Sequence, residues 1–250
     1  MGACRGLNCH SADLIRAHII PRASGRQIRG RGRNISLSID ATRRAFPQLG
    51  EYDDAILCRD CDNKLGTYDR YAIEFCRSFP VRQRDVGAEA FEVDDFDGDR
   101  FAKFVLAILW RASISSRTPF SEIALGKYEA MAQEILFGAR DLGSLRALRV
   151  FLQRYRSKDI DPAGFYTLPI RMRIRSLNCY VFALSGFRVL AILDSRSMWT
   201  DWAPYLVGGA HTLRGRFTTF ENTFEFRWLT STVIAEARRQ GRPPWELRTP

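Results

Sequence analysis

The chain has 250 residues and a mass of 28.7 kDa, with 46% hydrophobic and 26% charged residues. That is enough apolar material for one large core or two modest ones, and it excludes a chain that is disordered as a whole. Lys and Arg number 38 against 28 Asp and Glu, a net charge of +10, and only Lys64, Lys103, Lys127 and Lys158 are lysines. Arginine suits a phosphate-rich partner, because its planar fork matches phosphate oxygens and binding releases counterions. A GC-rich genome produces the same bias, so charge alone does not assign a partner. The longest apolar run, Phe104 to Trp110, is far too short to span a bilayer, which argues against a membrane partner. The opening residues carry neither an apolar secretion segment nor a hydroxyl residue at position 6 for myristoylation, so a cytoplasmic protein is expected.

In chain order, the first feature is Cys4-x4-Cys9, answered after 48 intervening residues by Cys58-Arg59-Asp60-Cys61. In a reducing compartment this is not a disulfide framework. Two close pairs far apart in sequence suit a four-thiolate zinc site, in which each short loop aims two sulfurs at one ion. His10 is an alternative ligand, but four cysteines already complete a tetrahedral shell. Cys76 and Cys179 have no partner at such a spacing and are expected as core thiols.

Leu14 to Ile20 predicts a strand ending at Pro21. The first 48 residues hold nine Arg against Asp13 and Asp40 alone. Within them Arg22, Arg26, Arg29, Arg31 and Arg33 alternate with Gly and polar residues, a loop composition suited to phosphate contact. Leu65, Tyr68, Tyr71, Ala72 and Phe75 recur at spacings of three and four, predicting an amphipathic helix with the second cysteine pair at its N-terminus. Asp85, Glu89, Glu92, Asp94, Asp95, Asp97 and Asp99 crowd one short segment, which reads as an acidic linker over residues 85–100. Phe101 to Ala112 predicts a second helix. A third is expected from Ser121, as its N-cap, to Gly138. Tyr180–Leu184 and Phe187–Ile192 flank Ser185-Gly186 as a tight hairpin. The alternation Phe224, Phe226, Trp228 predicts a strand, and residues 230–240 a last helix.

The order cysteine pair, strand with His18-Ile19-Ile20-Pro21, then Cys58-x2-Cys61-Asp62-Asn63-x-x-Gly66 resembles the zinc-containing HNH endonuclease family over about residues 4–78. The resemblance implies a zinc-braced ββα-metal, treble-clef-like module in residues 1–84. It further implies a general base, His18, with Asp53 at the position that orients it, and Asn63 or Asp62 at the helix position that helps hold a catalytic Mg or Mn. Imidazole suits the role, since it titrates near working pH. DNA is the implied substrate, with prokaryotic or phage conflict as a setting. The chain departs from the family at Ala17, where a methyl replaces a metal-binding carboxylate, at Asp62, and at Asp53. Two readings therefore stand side by side: a metal-dependent DNA endonuclease, and a catalytically impaired zinc-stabilised module binding DNA or protein. Residues 101–250 are expected as an α+β domain, helices first and then an antiparallel sheet, for recognition, dimerisation or docking of a protein partner.

Overall fold

The computed structural model describes residues 2–21, 36–37, 44–45, 51–158, 161–164, 166–239 and 241. The Arg22–Arg33 loop expected to touch phosphate lies outside them. The N-terminal part is a two-stranded antiparallel ribbon leading into a long helix. Strand β1 (Leu14–His18) pairs with β4 (Tyr52–Cys58), setting Leu14 opposite Cys58 and His18 opposite Tyr52, with a register shift between Ile15 and Ala17. A second short ribbon, β2 (Ser36–Leu37) with β3 (Arg44–Ala45), lies between them in sequence. β4 runs straight into α1 (Arg59–Arg82), and Asp60 and Asp62 in its first turn complement the positive end of the helix dipole.

The acidic segment is not an open linker. It forms β5 (Arg84–Val86), β6 (Ala90–Val93) and the cap of α2 (Gly98–Ile114), where the Asp97 carboxylate accepts the Arg100 N–H. Its carboxylates face arginines: Glu92 pairs with Arg84 nearby and with Arg214 far along the chain, Glu89 with Arg216, and Asp85 with Arg156. The remaining strands are β7 (Leu148–Arg156), β8 (Ile170–Ile174), β9 (Leu177–Leu184), β10 (Phe187–Leu193) and β11 (Leu213–Thr219). They complete a seven-stranded sheet of order β5-β6-β11-β7-β10-β9-β8, antiparallel except where β11 runs parallel to β7. The chain is thus α+β, with a mixed rather than purely antiparallel sheet.

One apolar cluster runs from Cys4 through α1 and α2 to Leu213, so no break in the core separates residues 1–84 from the rest of the chain. Phenylalanines stitch it together. Phe75 of α1 meets Phe79, Phe96, Phe101 of α2 and Phe187 of β10, at centroid distances of 4.9 to 6.0 Å, within the range where aromatic pairs add to area burial. The opposite sheet face is covered by Trp199 and Trp202. The third helix, α3 (Glu129–Leu136), starts later than expected, after two 3₁₀ turns. Ser121 does not cap it; its hydroxyl donates to the Thr118 carbonyl.

The Phe224–Trp228 strand is a misreading. These residues open the last helix, α4 (Phe224–Arg239). Thr223 accepts the Phe226 N–H at its start, buried Glu225 pairs with Arg188 at 2.8 Å, and Phe226 meets Phe220 edge-on. Three alternating residues are too short a run to separate period two from a helical i, i+4 pair, and the cap decides.

Candidate functional site

The four cysteines expected as ligands converge. Their sulfurs all lie within 4.8 Å of one another, close enough to hold a metal ion. Cys9 and Cys58 sulfurs are 3.7 Å apart, matching the roughly 3.8 Å separation of two thiolates in a tetrahedron of 2.3 Å bonds. The first knuckle turns through Asn8 at φ 54, and the Cys4 sulfur accepts N–H groups from Gly6 and Cys58. A Cβ on Gly6 would sit 2.3 Å from the Cys61 sulfur, so only glycine lets the knuckle close over the cluster. The second knuckle sits where β4 becomes α1. The Cys61 backbone N–H draws the Cys58 thiol down to about 7, whereas burial, and then neighbouring thiols, push Cys61 up. His10 is exposed and outside the cluster. Cys76 and Cys179 are core thiols as expected, each pushed up to about 12 by burial.

Beside this cluster, β1 delivers His18 to a cleft of about 550 Å³ whose long wall is α1. Asp62, Gly66, Asp69 and Ile73 recur along that wall at spacings of four, three and four, one face of a helix. Burial pushes the Asp62 carboxyl up, Arg111 pulls it back, and Asp69 adds to the rise. Arg70, Glu74 and Arg77 continue the wall, and Arg111 of α2 closes the cleft behind it. Arg111 is fully buried, grips both Asp69 oxygens at 2.8 and 2.9 Å, and donates to the Ala107 carbonyl.

The structure thus brings His18 and Asp62 together. Asn63 is exposed and does not line the cleft. Asp53 is buried and committed elsewhere: one oxygen accepts the Ala55 N–H at 2.8 Å and the other the Ser115 hydroxyl at 2.5 Å, tying β4 to the end of α2. Ala17 is wholly buried, so the strand offers no oxygen there. Sequence reasoning missed Asp69, Arg70, Arg77 and Arg111. The first three were within reach of the i, i+4, i+7 pattern that starts at Asp62; Arg111, on another helix, had no local signal.

A second, smaller cavity of about 390 Å³ is lined in part by Asp95, Asp97, Asp99 and His211. There Asp97 caps α2 and Asp99 accepts the Gly209 N–H, so both carboxylates are structural. Among the described residues no helix is long and apolar enough to cross a membrane. Comparison of the chain with protein-family models, with curated proteins and with solved structures finds no match.

Proposed function

We propose that the chain is a metal-dependent nuclease of HNH type in which a structural zinc braces the ribbon and helix that hold the reacting groups. The observation that carries this reading is the opening of His18 onto the same cleft as Asp62, beside the four-cysteine cluster. Four thiols packed this closely in a buried site oppose one another's ionisation, and a central divalent cation relieves that repulsion. Zinc fits, because it takes four thiolates in a closed tetrahedron. One zinc per chain is expected by metal analysis after mild chelator washing; Cys58→Ser should lose it and lower Tm, whereas metal-free wild type of unchanged Tm would contradict the assignment.

His18 would take a proton from water as its oxygen bonds to phosphorus and the phosphorus–oxygen ester bond breaks, the leaving oxygen taking a proton from solvent. Arg70 and Arg77 would hold the phosphate, with the Arg111–Asp69 pair as the wall behind them. Asp62 would hold a magnesium or manganese ion, which supplies charge neutralisation at the scissile phosphate when bound. Asp69 is taken by Arg111, and among the described residues no other group of three ligating side chains converges. One protein carboxylate still suits magnesium, which commonly binds through one or two carboxylates, water and substrate phosphate.

The same scarcity of ligands, with Ala17 buried, supports the second reading of a zinc-braced module that binds DNA without cutting it. Supercoiled plasmid with Mg²⁺ or Mn²⁺ separates the two: nicking by wild type and not by His18→Ala supports hydrolysis, and salt-sensitive binding without nicking supports the module.

A further inference from the structure

Next to the cleft, the ribbon that carries His18 holds a second arrangement. Tyr52, the cross-strand partner of His18, has its ring centroid 6.3 Å from the imidazole. Two guanidiniums pack on that ring: Arg16, from β1, lies 4.3 Å from its centroid, and Arg117, from beyond α2, lies 4.8 Å from it. Arg117 also donates to the Tyr52 carbonyl, and its own N–H is held by the Ser115 hydroxyl that Asp53 anchors. Among the described residues neither Arg16 nor Arg117 has a carboxylate partner. Arg84, Arg156, Arg214 and Arg216, on one half of the sheet, differ in that each is neutralised by an acid.

A guanidinium stacked on an aromatic face keeps its N–H edge free and loses side-chain freedom before any ligand arrives, which lowers the cost of gripping an anion. We propose that Arg16 and Arg117, fixed on Tyr52, form a phosphate clamp that grips a nucleic-acid backbone beside the phosphate facing His18. The ligand is the phosphodiester chain, and the inference rests on the nuclease reading only for its position next to the reacting group. Asp53 then acts as a positioning residue, through Ser115, for the Arg117 arm. The segment after α2 thereby supplies part of the site.

The test is equilibrium binding of the full chain to fluorescein-labelled 20-base-pair DNA and RNA duplexes, without added divalent metal, across a KCl series. Each phosphate contact contributes about 0.9 to the slope of log K against log salt. Arg16→Ala, an exposed side chain whose loss spares the fold, should lower the slope by about 0.9, and Arg16→Ala with Arg117→Ala by about 1.8. Tyr52→Leu, keeping both charges, should weaken binding with a smaller change in slope. Equal losses on both duplexes assign the clamp to their shared backbone, and loss on one assigns it to that nucleic acid. Wild-type slopes in Arg16→Ala and in the double variant would overturn the clamp. So would displacement of the duplex by polyglutamate as readily as by unlabelled duplex. Wild type that shows these slopes and never nicks plasmid overturns hydrolysis and leaves the clamp standing; nicking with unchanged slopes does the reverse.

Discussion

At residue scale, two carboxylates of similar promise in the sequence have opposite fates. Asp62 faces the cleft because the helix begun at Arg59 turns it toward His18, while Asp53 is spent on Ser115 and Ala55. The residue type was legible; the partner was not, since Ser115 lies 62 positions away. Asn63 shows the converse error, because one step along a helix rotates a side chain by about 100° and carries it off the face. Asp69 shares the face of Asp62, seven residues on, and its pairing with buried Arg111 makes a sharp prediction. Asp69→Ala leaves a guanidinium buried without a counter-charge, which typically costs about 3–5 kcal/mol. Urea denaturation should show that loss; a stability within about 0.5 kcal/mol of wild type would mean that Arg111 finds water or another acceptor.

At element scale, the periodicity of α1 and α2 and the Ser185-Gly186 hairpin were readable because each is specified locally. The turn residues have φ 48 and 80, the positive values a two-residue hairpin of type I′ needs. Gly186 carries a second constraint: a Cβ there would stand 2.2 Å from the Arg154 guanidinium, which packs on Phe79 and Phe187 and donates to the Ser185 carbonyl. An ordinary Gly→Ala replacement stabilises by up to about 1 kcal/mol, whereas Gly186→Ala, at positive φ and against this guanidinium, should destabilise by more than that. Thermal melting reads it, and an unchanged Tm would contradict the packing described. The acidic strands and α4 were not readable. Seven acids in one stretch mimic a linker until arginines arrive from β7 and β11 to neutralise Asp85, Glu89 and Glu92, and a short alternation cannot outweigh a cap at Thr223.

At the scale of the whole molecule, the arginine surplus is not used in one way. Part of it balances carboxylates across the sheet, and part, among the described residues, stands without an acid around His18, where a phosphate backbone would lie. Acid should separate the structural share. Asp194 is buried and held well below the usual carboxylate range, chiefly by the Arg196 guanidinium and then by the Asn178 N–H. A depressed carboxyl stabilises the fold above its unfolded value of about 3.9, and that stability drains as pH falls through the folded value. Tm should fall steeply below about pH 4, and Asp194→Asn should flatten that limb while lowering Tm at neutral pH; an identical acid limb in the variant would contradict the assignment.

In the proposed chemistry, His18 and Asp62, held at one cleft by the cysteine cluster and α1, hydrolyse a phosphodiester. Single-turnover cleavage of an end-labelled duplex in Mg²⁺, with variants matched for zinc content, tests it most directly. The rates of His18→Ala and Asp62→Ala should each fall by about 100-fold or more, while Asn63→Ala stays near wild type. Equal rates in His18→Ala and wild type, or a collapse in Asn63→Ala with Asp62→Ala unaffected, would contradict it.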